Sequence, residues 1–112
     1  MTVVAKNLLQ AKAAEAAQTT QFTSASVGYT ILDKMTATNT TAGAVTLSVN
    51  LVPSGGAAAA GNLIAPVVSI AAGTSYLCPE ISGHILNAGD FVSTIAGAAA
   101  SITIRISGRV IS

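Results

Sequence analysis

The chain has 112 residues, 51% of them hydrophobic but only 8% charged, with five Lys/Arg set against four Asp/Glu. That length fits one domain with a small core, and the near-zero net charge provides no electrostatic footprint for nucleic acid or an anionic membrane surface, so neither is expected as a partner. Ordinary soluble proteins carry roughly 25% charged residues, so a surface this poor in charge implies cover by neighbours, and self-association into a homo-oligomer is the expected working state. The single Cys78 cannot close an internal disulfide, so nothing demands an oxidising compartment.

The first stretch, AKNLLQAKAAEAAQ, is rich in the best helix formers and predicts a helix over residues 4 to 18. Leu8 and Leu9 are its only large apolar side chains, so such a helix must dock on something, and the reading is an N-terminal arm over residues 1 to 24 followed by a second unit over 25 to 112. The flanking Lys6 and Lys12 enclose too short an apolar patch for an export signal. The segment TTQFTSASVG reads as a polar connector.

From there the period changes to alternation. Residues 45 to 52 place Val45, Leu47, Val49 and Leu51 on one face and Thr46, Ser48 and Asn50 on the other, which predicts a half-buried strand. Ile102, Ile104 and Ile106 repeat the pattern against Thr103, Arg105 and Ser107 before Gly108 interrupts the inner row. Weaker strands are expected near 29 to 38, 63 to 71, 75 to 78, 83 to 86 and 91 to 96, divided by turn-forming runs such as NTTAG, PSGGAAAAGN and NAGD. About seven short strands without crossover helices predict an all-β fold, an antiparallel β-sandwich of immunoglobulin-like or jelly-roll kind. The most apolar window, LIAPVVSIAAGTSYL, is broken by Pro66, Ser69 and Gly73 and is too short for a membrane helix.

Few residues here can carry chemistry. His84 is the only histidine, and it lacks a nucleophile motif to accompany it and Asp90 or Asp33. Cys78 and His84 supply two possible metal ligands where a structural zinc site needs four, even if Asp90 or Glu80 is added, and Cys78 reads better as a small buried thiol. PSGGAAAAGN lacks the Gly-Lys-Ser/Thr ending of a phosphate loop, and Asn39 to Thr41 matches a glycosylation acceptor only formally. No catalytic residue, cofactor or metal is therefore expected, and the chain reads as a non-enzyme.

Asp33 stands out in YTILDKMTATN, because the inward series Tyr29, Ile31, Met35, Ala37 would carry it onto the core face. Either a bulge shifts the register there, or Asp33 is buried and paired with Arg105 or Arg109. The neutral faces of Thr36, Thr38, Thr46, Ser48 and Asn50 can hydrogen-bond a partner without burying charge. Together with the small-residue surface of the arm, this makes Leu8, Leu9, Ala13, Ala16, Thr46, Ser48 and Asn50 the candidate interface.

Three stretches, LDKMTATNTTAGAVTLSVNLVPSGG, CPEISGHILNAGDFVSTIAG and SITIRISGRVIS, carry a resemblance over residues 29 to 112. They resemble small tailed-bacteriophage and prophage virion structural proteins with a β-sandwich fold, in which Asn-Thr-Thr, Leu-Val-Pro-Ser-Gly-Gly and Leu-x-Ala-Gly-Asp mark turns and strands. The resemblance implies a virion protein assembled in the bacterial host cytoplasm, most simply a capsid cement or decoration protein that contacts sister subunits and the major capsid protein or another virion protein. A neck, tail or fibre-base component, or a module binding a host glycan or receptor, is the alternative it leaves.

Overall fold

A computed structural model describes residues 2–112. Among these residues nine strands are formed, in chain order: β1 (Val3–Ala13), β2 (Thr19–Thr23), β3 (Tyr29–Asn39), β4 (Val45–Val52), β5 (Leu63–Ile70), β6 (Ser75–Tyr76), β7 (Ile85–Leu86), β8 (Phe91–Ala96) and β9 (Ile102–Ile111). They make two antiparallel sheets, one in the order β1-β9-β3-β6 with β7 also on β3, the other in the order β2-β8-β4-β5.

The pairs are nested. β4 pairs with β5, β3 with β6 and β7, β2 with β8, and β1 with β9. The chain is thus one long hairpin, turned back on itself at residues 53 to 62 and rolled so that successive rungs fall alternately in the two sheets. That is the jelly-roll alternative of the expected sandwich.

Alternation explains why the sheets face one another. Leu32, Met35, Ala37, Ile102, Ile104 and Ile106 project inward from β3 and β9, and Leu47, Val49, Val92 and Ala96 meet them from β4 and β8. Each of these ten side chains is buried. Residues from the connecting segments, Cys78 and Ile81, close the same core.

The expected N-terminal helix is not formed. Val3–Ala13 is an eleven-residue strand whose partners run along β9 from Ile111 back to Thr103. Helix propensity is a weak preference of tenths of a kcal/mol per residue, and the long backbone edge of β9 offers this segment a hydrogen-bonded partner that an isolated helix lacks. Two bulges, between Asn7 and Leu9 and between Leu9 and Lys12, let the irregular sequence follow the strand, with Leu8 and Leu9 half-buried against the core. The polar connector also departs from expectation, because Thr19–Thr23 pairs with β8 as β2. Both sheets therefore run through the boundary expected at residue 24.

Candidate interaction surfaces

On the outer face of β4, the residues expected to meet a partner are covered by the chain itself. Ser48 and Asn50 are 8% and 4% exposed. Asn50 Nδ2 donates to the carbonyl of Ala59 at 3.0 Å and to Asn62 Oδ1 at 2.8 Å, while Ser48 Oγ accepts from the Val67 backbone N–H at 3.0 Å. Asn62 knits the covering loop, donating to the carbonyl of Ala57 and accepting from the Ala59 N–H. The end of the Ala/Gly-rich segment after β4, from Ala57 to Asn62, is thus tied back to its own sheet by two asparagines. Thr46 is half-buried at the other end of the strand. Alternation shows which way these residues point, but the sequence carries no sign of what lies above them except Asn62 at the loop's close.

Of the N-terminal candidates, Leu8 and Leu9 face the core edge, while Ala13 and Ala16 are exposed. The buried alanine is Ala14, where the chain crosses between sheets. Its N–H donates to the Ile102 carbonyl at 2.7 Å, and the next carbonyl, Glu15, accepts from the Ala96 N–H at 3.0 Å. The Glu15 carboxylate accepts from Gln21 Nε2 and from Lys12 Nζ, each at 2.9 Å, and these bonds hold its carboxyl below the usual range.

The opposite surface, the outer face of the β1-β9-β3 sheet, is open. Its cross-strand rows follow from the register: Val3, Ile111 and Tyr29 form one row, and Ala5, Arg109, Ile31 and Ile85 form the next. Tyr29, Ile85 and Val3 are 37%, 55% and 51% exposed, an unusual density of apolar groups for an outer face. Beyond them Lys34 lies opposite Ser107, Thr36 opposite Arg105, and Thr38 opposite Thr103. These six residues, with the Ile104 backbone, line a shallow groove of about 310 Å³.

Asp33 sits at the division between the two halves. The register shifts between Leu32 and Lys34, so the expected bulge is there, but it turns Asp33 outward instead of into the core. The carboxylate is 40% exposed and accepts a two-pronged set of bonds from Arg109: Nε to both oxygens at 3.2 and 3.0 Å, and Nη2 to Oδ1 at 2.9 Å. Those bonds, and the charge behind them, push the Arg109 guanidinium up from its ordinary value. Because the bulge adds one residue, the strand changes phase at Asp33. Thr30 and Leu32 point inward before it and Met35 and Ala37 after it, which places Tyr29 and Ile31 outside, opposite to the expected series. Arg105 is not part of the pair.

Cys78, Glu80 and Asp90 are engaged within the fold. Cys78 is fully buried, and desolvation, with a smaller contribution from Glu80, pushes its thiol up to about 12. The Glu80 carboxylate accepts from the Tyr76 hydroxyl, and Asp90 accepts from the Ser54 and Asn87 N–H groups at 2.9 and 3.0 Å. His84 is exposed. Among the described residues, no three His, Cys, Asp or Glu side chains gather where they could hold a metal ion.

No protein family and no curated protein sequence matches the chain. Among solved structures it is similar to a chain in the structure of infectious bursal disease virus, Gx strain, with a TM-score of 0.52 and 16% identity. The match covers 97% of this protein and 32% of that chain, so this protein spans about a third of the length of its structural neighbour. At this identity the likeness is one of fold, a β-sandwich shared over nearly every described residue.

Proposed function

We propose that this protein is a non-enzymatic structural component of a virus particle, in the first place a capsid cement or decoration protein of a tailed bacteriophage. The observation that carries the reading is the asymmetry of the sandwich. On one outer face the chain's own loop is tied over Asn50, whereas the other presents exposed Tyr29, Ile85 and Val3 near a polar groove, a surface suited to cover by a neighbour. The fold likeness to a chain of a virus structure and the sequence resemblance of residues 29 to 112 point the same way. Sister subunits and the major capsid protein are the partners proposed, and the virion is the location.

Co-sedimentation with particles assembled without the chain tests this, together with localisation of bound copies by electron microscopy. Copies distributed over the shell and a raised disruption temperature of the particle are the expected result. Copies confined to the neck or tail would transfer the protein to that part of the virion, and no binding at all would refute a structural role. The receptor-binding alternative is less favoured, because the C-terminal half of residues 53 to 62, the longest loop available for display, is held to β4 through Asn50 and Asn62 instead of standing free.

A further inference from the structure

The four carboxylate side chains are all satisfied within the chain: Glu15 by Lys12 and Gln21, Asp33 by Arg109, Glu80 by Tyr76, and Asp90 by two backbone N–H groups. The cations are not. Only Lys12 and Arg109 form ion pairs, so among the described residues Lys6, Lys34 and Arg105 have no carboxylate partner. Two of these three, Lys34 and Arg105, line the same groove on the outer face of β3 and β9, with the hydroxyls of Thr36 and Ser107 beside them and Thr38 and Thr103 in the next row. In a chain that is only 8% charged, two unmatched cations in one groove mark it as the place where negative charge is to be received.

We infer that this groove and the apolar rows next to it dock a carboxylate-bearing segment of a different protein, with Lys34 and Arg105 taking the carboxylates and Tyr29, Ile31 and Ile85 taking apolar side chains beside them. The inference rests on the structural reading above and names the chemistry of the neighbour. A second copy of this chain fits poorly as the occupant, since its own carboxylates are already bound. A nucleic-acid strand needs more cations along its backbone than two, and no aromatic ring lines the groove for a base or a sugar ring to stack on. Tyr29 and the isoleucines give such a contact the apolar centre and charged rim of a protein interface.

The full chain titrated with a short oligoglutamate peptide, followed by amide chemical shifts, provides the first test. Shifts at Lys34, Thr36, Ile31 and Arg105, weakening with added salt, are expected, together with an affinity about tenfold lower in the K34E/R105E variant. Shifts centred on Lys6, tighter binding of a heparin oligosaccharide than of oligoglutamate, or self-association through this face would each overturn the inference. Should K34E/R105E lose the wild-type circular dichroism spectrum, K34Q/R105Q takes its place with the same expectation. Particle binding then separates the two readings. Wild-type chain that sediments with particles while K34E/R105E does not supports both, and equal sedimentation overturns the docking surface while leaving the structural role intact. If wild-type chain fails to sediment, the structural role falls and the peptide titration alone decides the docking surface.

Discussion

Asn39, at the end of β3, is fully buried and uses its whole amide. Nδ2 donates to the carbonyls of Gly43 and Ile70, each at 2.8 Å, and Oδ1 accepts from the Thr41 N–H and hydroxyl at 2.9 and 2.7 Å. The formal glycosylation match is therefore a turn lock, closed to modification in the folded state. Asn39→Asp replaces the donor with an oxygen facing two carbonyls and is expected to cost about 2 to 4 kcal/mol at neutral pH, measured by chemical denaturation. Those carbonyls raise the new carboxyl's pKa, so the deficit should shrink as pH falls and the group protonates. Gly108 is constrained by space, because a Cβ there would lie 2.2 Å from the Ile31 carbonyl oxygen and 2.8 Å from Leu8 Cδ1. Gly108→Ala should cost about 1 to 3 kcal/mol through backbone displacement, whereas Gly43→Ala, with open space around it, should leave the melting temperature nearly unchanged. Asp33→Ala removes an exposed pair and is also expected to leave the melting temperature close to wild type.

At the scale of elements, β1 supplies the clearest test of how this sandwich is held. Deleting residues 1 to 20 removes β9's outer partner, the packing of Leu8 and Leu9, buried Ala14 and the start of β2. The expected result is a chain that loses its cooperative thermal transition and aggregates through the bared edge of β9, detected by calorimetry and size exclusion. Recovery of a monomeric, fully folded remainder would show that the N-terminal strand is dispensable. The strands of residues 29 to 111 were legible in the sequence because β4 and β9 alternate and turn-forming runs bound the others: the span expected for β4 is the one formed, and β3, β5, β8 and β9 begin within a residue of where they are expected. β1 was illegible because AKNLLQAKA carries helical propensity, and its extended state is imposed by β9, a partner distant in sequence. The open face was legible only in part, since a bulge can be suspected at Asp33 but its direction depends on the register β3 takes against β9, a partner distant in sequence.

The whole molecule should lose stability in alkali for an identifiable reason. Burial, aided by Glu80, raises the Cys78 thiol from 9.0 and the Tyr76 hydroxyl from 10.0, both to about 12. The unfolded chain releases those protons first, so their contribution is fully present below pH 9 and is lost as pH rises towards 12. Denaturation midpoints measured stepwise should stay level up to about pH 9 and then fall. Midpoints level throughout would mean that neither group is desolvated in the fold. The nested pairing has a different consequence, one of timing during synthesis. Closure can spread outward from the 53 to 62 turn, each rung adding a modest loop cost to the last, but β1 is made well before its partner β9 exists. An idle strand rich in Val and Ile would invite pairing with other nascent chains, whereas AKNLLQAKAAEAAQ favours a harmless local helix while it waits. A peptide of residues 2 to 18 should accordingly show helical circular dichroism on adding trifluoroethanol, and replacing Ala5, Ala11 and Ala13 by Val should lower the soluble yield of newly made chain while favouring the extended state that β1 finally takes.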